Sequence, residues 1–196
     1  MKIKPSFFLI ALLLAAPPAS GDLVSDLVAR AEQGEVAAQF ELAGIYAKGE
    51  GVAKDNAAAV KWFTKAAEQG NAEARMILGG IYIAGKGVLK NSSEAAKWFL
   101  LAAEQGNAAA QCQIGRMHLT GAGVTKDDVE AYKWSNLASA QGDVAAKRVR
   151  VFLEGRMTPE QIAEGQQRAR DFLEKKTPEK SSDLPAVIPT TPGEPE

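Results

Sequence analysis

The residues best suited to covalent chemistry in this chain are its single cysteine, Cys112, and its single histidine, His118. A cysteine paired with a histidine can act as an activated nucleophile, provided that the two side chains meet. They lie six positions apart on one predicted helix, which directs them to different sides. One histidine cannot form a His-Glu-x-x-His metal site, and no Ser-x-x-Lys motif occurs in the sequence. We therefore predict no catalytic residue, no metal site and no cofactor.

A 36-residue repeat forms the framework that would position any functional side chain. Trp62, Trp98 and Trp134 lie 36 positions apart, and the glycines, alanines and valines around them follow the same step. A period of this length is typical of a solenoid, in which each unit buries its apolar face only against its neighbours. The sequence predicts an all-α solenoid of about three full helix–loop–helix repeats. These repeats span about residues 35–70, 71–106 and 107–142.

The order of residues within one repeat predicts where its two helices begin and end. Apolar residues at positions i, i+4, i+7 and i+8 form one stripe of the first helix. A Gly-x-Gly-Val loop follows, whose glycines allow backbone conformations that other residues rarely adopt. Glu94 and Glu130 lie three residues after two of the N-caps, which predicts capping boxes there. The predicted N-caps of the second helices are Asp55, Asn91 and Asp127. The predicted C′ glycines are Gly70, Gly106 and Gly142.

Incomplete units flank the three full repeats. Residues 23–33 match only the closing half of a second helix, and residues 143–153 begin another first helix without the glycine loop. Thr158, Pro159 and Gln161 then provide an N-cap, a proline at N1 and a glutamine at N3. We expect residues 143–176 to form capping helices, because a solenoid needs a polar-faced helix to close its exposed end.

The two ends of the chain have the composition of appendages. Residues 1–21 predict a signal peptide, with Lys2 and Lys4, an apolar segment and small residues before a cleavage site that leaves Asp22 first. An uncleaved anchor is the alternative, although two consecutive prolines end the apolar helix abruptly. The solenoid then spans residues 22–176. Residues 177–196 are rich in proline, which predicts a disordered tail, with a spacer or a ligand for a proline-reading domain as alternatives.

Composition limits the class of partner. The formal net charge is −1, and removal of the two signal lysines takes it to about −3. A nearly neutral body without basic clusters argues against nucleic acid and anionic membranes. With one cysteine, the chain has no internal disulfide, and Cys112 is expected to be a small buried hydrophobe, with intermolecular pairing or reactive thiol chemistry as the alternative. We expect a monomer that binds a protein or peptide and does not insert into a membrane once the signal is removed.

The repeat resembles the Sel-one-like repeat (SLR), the longer relative of the tetratricopeptide repeat. The pattern Leu-Gly-x-Ile-Tyr-x-x-Gly-x-Gly-Val, then Ala-x-Lys-Trp-Phe-x-x-Ala-Ala-Glu-Gln-Gly, is most complete in repeat two. Repeat one has Ala43 in place of the first glycine, and repeat three has His118 for the tyrosine and Ser135 for the phenylalanine. This resemblance implies a right-handed α/α superhelix that acts as a protein-interaction scaffold.

A concave face lined by the first helices is the predicted binding surface. Residues outside the apolar stripe of these helices differ between repeats, as expected of a surface that recognises one partner, although ordinary solvated helix surface is the alternative. Gly44 and Gly80 each cost their helix about 1 kcal/mol relative to alanine, which suggests close approach of a neighbouring backbone or a ligand. The predicted partner-binding residues are Glu41, Lys48, Ile77, Gln113, Arg116 and Thr120.

Two classes of function follow from this sequence. The first is an exported, non-enzymatic scaffold that holds a partner in its concave groove, in the bacterial periplasm or secreted, within the cell envelope or at the host interface. The alternative is an envelope hydrolase or a penicillin-binding or β-lactamase-like module, which the resemblance implies only for cysteine-rich relatives. This chain lacks their paired cysteines, so the sequence favours the scaffold.

Overall fold

The computed structural model describes residues 20–176 of the chain. The predicted tail and all but the last two residues of the predicted signal peptide lie outside the described residues. Within the described part, nine α-helices and no strand are present, which confirms the predicted all-α repeat fold. The helices are α1 (Ser20–Glu32), α2 (Val36–Lys48), α3 (Asn56–Glu68), α4 (Ala72–Ala84), α5 (Ser92–Glu104), α6 (Ala108–Thr120), α7 (Asp128–Ala140), α8 (Val144–Glu154) and α9 (Pro159–Lys176).

The chain forms two compact units. The first, Met1–Gln69, contains α1, α2 and α3, and the second, Gly70–Glu196, contains α4 to α9. Each complete repeat contributes one first helix (α2, α4 or α6) and one second helix (α3, α5 or α7). The single helix α1 precedes the repeats, and α8 and α9 follow them.

The second helices begin at the predicted caps. The side chains of Asp55, Asn91 and Asp127 each accept two backbone N–H groups of the first turn, at 2.8–3.1 Å. The prediction of capping boxes was wrong, because the N-cap N–H groups are already occupied. The N–H of Asn91 donates to the carbonyl of Tyr82 at 2.9 Å, and the other two caps use the equivalent carbonyls. Each cap therefore also fastens the start of the second helix to the end of the first.

The repeating glycines adopt the left-handed conformations that the sequence predicts. The loop glycines that end the first helices have φ between 70° and 80°, and the C′ glycines of the second helices have φ between 91° and 98°. The N–H of Gly85, for example, donates to the carbonyl of Ile81, which closes the end of α4. Substitution at these positions would strain the backbone even where space is available.

In the first unit, α2 packs against both α1 and α3. The ring of Phe40 contacts that of Phe63 edge to face, with centroids 5.6 Å apart. A glutamine connects all three helices. The side chain of Gln39 donates to the carbonyl of Ala31 at 3.1 Å and accepts from the side chain of Gln69 at 2.8 Å. These amide contacts satisfy a polar side chain that is buried among apolar residues.

In the second unit, the two complete helix pairs pack in different ways. The ring of Phe99 lies directly on Gly79, where a Cβ atom would be only 2.4 Å from the ring. At the equivalent place in the next repeat, Gly115 lies against Ser135, and a Cβ atom there would be 2.9 Å from its hydroxyl. Between α5, α6 and α7, the buried side chain of Gln111 repeats the amide contacts of the first unit.

Helix α9 covers α7. It begins with a true capping box, because Thr158 and Gln161 exchange backbone-to-side-chain hydrogen bonds at 3.0 and 3.3 Å. Its glycine, Gly165, meets Tyr132 of α7, and its Phe172 contacts the ring of Trp134 at a centroid distance of 5.2 Å. The polar capping helix expected from the sequence is therefore present, and it packs on the second helix of the last repeat.

Helix α8 is left uncovered along one face. Its side chains Val144, Val151 and Phe152 are 64%, 53% and 56% exposed, whereas Ala146 and Leu153 on the opposite face are buried. The expected closure of the solenoid end is thus only partial. The reason is that α9 packs on α7 and not on the outer face of α8.

Candidate functional site

The two residues first considered for chemistry do not form a pair. Cys112 is buried in a cluster with Ala138 and Ala146, and burial raises the pKa of its thiol. The imidazole Nδ1 of His118 lies 3.1 Å from the carbonyl oxygen of Thr125, in the position that tyrosine holds in the other repeats. A thiol with a raised pKa is a poor nucleophile at neutral pH. Cys112 therefore serves packing, and His118 contacts the loop between α6 and α7 through Thr125.

Among residues 20–176, no group of three or more His, Cys, Asp or Glu side chains is arranged to hold a metal ion. Within the same part of the chain, no helix is both long and apolar enough to span a bilayer.

One concave surface of the second unit lies between α4, α5 and α6. We call it the second-unit groove, and its volume is about 290 Å³. Ile83, Phe99 and Met117 provide an apolar floor, and polar residues from α6 form the rim. The groove is lined by Gly80, Ile83, Phe99, Gln113, Arg116, Met117, Thr120 and Ala122.

Three predicted binding residues meet in this groove: Gln113, Arg116 and Thr120. The hydroxyl of Thr120 donates its proton to the backbone carbonyl of Arg116 at 3.0 Å, so this proton is not available to a ligand. The guanidinium of Arg116 is exposed and makes no hydrogen bond or ion pair with any described residue. Arg116 is thus a cation at the edge of an apolar floor, which suits a ligand carrying a carboxylate beside an apolar group.

Ile77 was also predicted to bind, and it does not line the second-unit groove. Its side chain is 37% exposed on α4. The apolar floor was missed from the sequence because Phe99 and Met117 occupy recurring core positions. Ile83 could have been found, since it is a bulky apolar residue at a position where repeat one has alanine.

The sequence suggested that Gly44 and Gly80 allow close approach of a neighbouring backbone or a ligand, and the first of these alternatives was wrong. A Cβ atom at either position would have nothing within 4 Å. Both glycines instead open onto concave surfaces, Gly80 onto the second-unit groove and Gly44 onto a pocket of α2. Approach of a ligand at these positions stays a prediction.

In the first unit, a groove of about 430 Å³ lies between α1 and α2. We call it the first-unit groove. Its apolar part consists of Val24, Leu27 and Ile45, and its charged residues are Asp26, Arg30, Glu41 and Glu50, with Gly51 completing the lining. The predicted residue Glu41 therefore lies here, and it also borders the pocket that contains Lys48.

Charge in the first-unit groove is mostly negative. Its one cation, Arg30, is engaged by the carboxylate of Glu35 at 2.6 Å, a hydrogen bond that raises the pKa of Arg30 and lowers that of Glu35. The carboxylate of Asp26 also lies 3.8 Å from Arg30, and that of Glu50 lies 3.4 Å from Lys48. Among the carboxylates that line the groove, Glu41 makes no ion pair with any described residue. The second-unit groove thus has an unpaired cation, Arg116, whereas most charges of the first-unit groove are paired with one another or with neighbouring residues.

The recurring helices, caps and glycines define a helical-repeat fold. The Sel1 repeat family model matches residues 36–71, 72–107 and 108–143, more than half of the chain. The chain therefore belongs to the Sel1 repeat family. Sel1 repeat proteins are protein–protein interaction scaffolds and are generally non-enzymatic.

Solved structures agree with this assignment. A Sel1 repeat protein from Oxalobacter formigenes is 40% identical, with a TM-score of 0.61, over 66% of this chain and 96% of that chain. A protective antigen present in uropathogenic Escherichia coli strains, which displays an SLR fold, is 30% identical with a TM-score of 0.54. That similarity covers 93% of this chain and 48% of the antigen, so this chain spans about half of the antigen's length. A comparison with curated proteins finds no match.

Proposed function

We propose that this chain is an exported, non-enzymatic scaffold of the bacterial cell envelope or host interface, and that it holds a segment of another protein in the second-unit groove. The observation that carries the proposal is the combination of an apolar floor with the free guanidinium of Arg116. A segment with an apolar side chain next to an aspartate, a glutamate or a C-terminal carboxylate fits this chemistry. The apolar contact supplies burial, and Arg116 supplies orientation.

A site-specific crosslinking experiment tests the location of binding. A photoreactive amino acid replaces Ile83 in the groove or, as a control, Leu89, which is 91% exposed and outside the groove. Exported protein is irradiated in living cells, and crosslinked products are identified by mass spectrometry. We expect one dominant product from position 83 and none in common from position 89. Equal capture at both positions would contradict a groove-specific partner.

The role of charge is tested by Arg116→Glu with Lys126→Glu as the matched control. Both residues are exposed in the same repeat, but only Arg116 lines the groove. Charge reversal at Arg116 should reduce capture of the crosslinked partner at least tenfold, whereas the control should retain it. Ile77→Glu then tests whether recognition extends along α4. If Arg116→Glu captures normally, the binding site lies elsewhere.

Export and the lack of enzymatic activity have separate tests. The proposal of export rests on the signal-like residues 1–21, and N-terminal mass spectrometry of the cellular protein should find Asp22, within about two residues, as the first residue. Intact Met1 would overturn it. Turnover of nitrocefin by the purified protein would instead support the β-lactamase-like alternative.

A further inference from the structure

The positions that form the second-unit groove recur in the first unit. Six of its lining residues come from α5, α6 and the loop after α6: Phe99, Gln113, Arg116, Met117, Thr120 and Ala122. Two repeats earlier, the equivalent residues line either the first-unit groove or a pocket of about 400 Å³ on α2, which we call the α2 pocket. These residues are Leu27, Glu41, Gly44, Ile45, Lys48 and Glu50. The same repeat positions therefore form a concave surface in both units.

The charge of these positions differs between the two units. The equivalent of Arg116 is Gly44, so the first unit lacks the cation. Three positions before Gly44 stands Glu41, where the second unit has a neutral glutamine. Leu27 and Ile45 replace the ring and the thioether of the second unit and keep the surface apolar. The first unit thus combines apolar side chains with a carboxylate in place of a guanidinium.

Ion pairs in the first unit do not neutralise this surface. Its one arginine, Arg30, is affected by the carboxylates of Asp26, Glu35 and Glu41. The carboxylate of Glu35 binds Arg30 at 2.6 Å, whereas Glu41 makes no ion pair with any residue in the described part of the chain. The pair of Lys48 and Glu50, 3.4 Å apart, adds no net charge. One arginine against three carboxylates leaves the surface negative, and Glu41 is the carboxylate that is open to a ligand.

Glu41 borders two apolar pockets. It lines both the first-unit groove and the α2 pocket, as Ile45 does. Leu27 provides apolar surface in the groove, and Phe40 provides it in the α2 pocket. Gly44 keeps the α2 pocket open, because a Cβ atom there would meet nothing within 4 Å. A single exposed carboxylate therefore lies next to two places where an apolar side chain can be buried.

We propose that this surface is a second recognition site, selective for a protein segment in which a lysine or an arginine lies between two apolar side chains. The cation of the segment pairs with Glu41, and its apolar side chains enter the first-unit groove and the α2 pocket. One stretch of polypeptide supplies this combination, whereas the negative surface repels the phosphates of nucleic acids and anionic lipids. Arg116 repels the same segment, so the two units select segments of opposite charge. This inference depends neither on export nor on the segment held by the second-unit groove.

Titration of the purified protein with two short peptides, followed by NMR, tests the proposal. The peptides are Ser-Gly-Leu-Lys-Phe-Gly-Ser and Ser-Gly-Leu-Glu-Phe-Gly-Ser, acetylated and amidated so that their ends carry no charge. The lysine peptide should shift the amide signals of α1 and α2, and added salt should weaken its binding because salt screens exposed charges. The glutamate peptide should shift the signals of α6. A lysine peptide that shifts no signal of the first unit at millimolar concentration would overturn the inference.

A neutral variant tests the role of the carboxylate. Glu41→Gln gives position 41 the amide that Gln113 has at the equivalent position, and since Glu41 is exposed, the variant should melt like the wild type. The substitution should weaken binding of the lysine peptide about two- to fivefold, the range expected of one exposed ion pair. Glu68→Gln, an exposed change on α3 outside both pockets, is the matched control and should bind normally. Equal weakening by both substitutions, or by neither, would overturn the proposal.

An exchange of residues between the two units tests the selectivity. Glu41→Gln combined with Gly44→Arg gives the first unit the amide and the guanidinium of the second-unit groove, and position 44 has space for a side chain. In this variant the glutamate peptide, and not the lysine peptide, should shift the signals of α2. If the lysine peptide is still preferred there, the proposal is overturned. Arg116→Ala should weaken binding of the glutamate peptide alone. A glutamate peptide that binds neither unit of the wild type contradicts the proposed role of the second-unit groove and leaves this inference intact.

Discussion

In repeats two and three of the second unit, the first and second helices contact each other at equivalent positions through different residues. In repeat two the ring of Phe99 fills the space above Gly79, and in repeat three Ser135 replaces the ring at the position above Gly115. The second helix then comes so close that a Cβ atom at residue 115 would be 3.2 Å from the carbonyl oxygen of Ala131. Glycine at this position of the repeat thus leaves space for a ring in repeat two and for the neighbouring helix backbone in repeat three.

The largest expected effect comes from giving repeat two the serine of repeat three. Phe99→Ser should lower the free energy of unfolding by about 3–5 kcal/mol, because the lost ring leaves a cavity above Gly79. Chemical denaturation measures this loss. Leu101→Ser, at a partly exposed position of the same helix, is the control and should cost less than about 1 kcal/mol. If both substitutions lower the free energy of unfolding equally, the helices of repeat two can move together to fill the cavity, as the closer helices of repeat three do.

A smaller effect is expected from adding one methyl group to either glycine. Gly79→Ala and Gly115→Ala should each destabilise the protein by about 1–3 kcal/mol, since the new Cβ overlaps a ring or a helix backbone. Gly80→Ala is the matched control. Its Cβ meets nothing within 4 Å, so better helix propensity should stabilise the protein by up to about 1 kcal/mol. Thermal melting measures the three variants. A melting temperature for Gly80→Ala that is lowered as much as those of the other two would contradict the packing described here.

Repeat three should gain stability when its serine loses the hydroxyl. The Oγ of Ser135 is buried and has no hydrogen-bond partner within the described residues, which costs free energy in an apolar environment. Ser135→Ala should therefore raise stability by about 1 kcal/mol, as measured by the denaturation midpoint. A loss of stability would show that the hydroxyl has a partner when the protein is in solution.

The smallest effect concerns reactivity at the other end of the α6–α7 contact. Because burial raises the pKa of Cys112, less thiolate is present at neutral pH, and the thiolate is the species that reacts. Native protein should therefore react with a thiol reagent much more slowly than unfolded protein, and the rate should keep rising above the usual thiol pKa of about 8.5. Rapid labelling at neutral pH would indicate that α6 and α7 separate readily.

Much of the fold is predictable because its rules are local. An aspartate or asparagine before a helix caps it wherever the helix packs, and a glycine at C′ turns the chain in every repeat, so Asn91 and Gly106 behave as expected. The capping-box prediction failed because the N–H of Asn91 had a competing acceptor in Tyr82, which belongs to the preceding helix. A partner outside the local segment cannot be inferred from local spacing.

The same limit applies to the binding surfaces. Arg116 and Thr120 could be placed on an exposed helix face from their spacing alone. The floor of the second-unit groove could not, because Phe99 belongs to another helix and its repeated position marks it as core. The docking of α9 was equally hidden. Thr158 predicts where the helix begins, but only the contacts of Gly165 and Phe172 with α7 show which surface it covers.

The buried glutamine Gln111 has a consequence for how such an array can grow. Its side chain donates to the carbonyl of Ala103 at 3.1 Å and accepts from Gln141 at 2.8 Å, which links three successive helices. Alanine surfaces alone would allow α6 to slide, but a shift by one turn would leave these buried amides unpaired. The amide pair therefore fixes the alignment of helices in repeats one and three, whereas repeat two has Arg75 at the equivalent position and its Gln105 donates to the carbonyl of Gly70. A duplicated segment of 36 codons that encodes both glutamines would keep this alignment contact, whereas a duplicate of repeat two would not carry it.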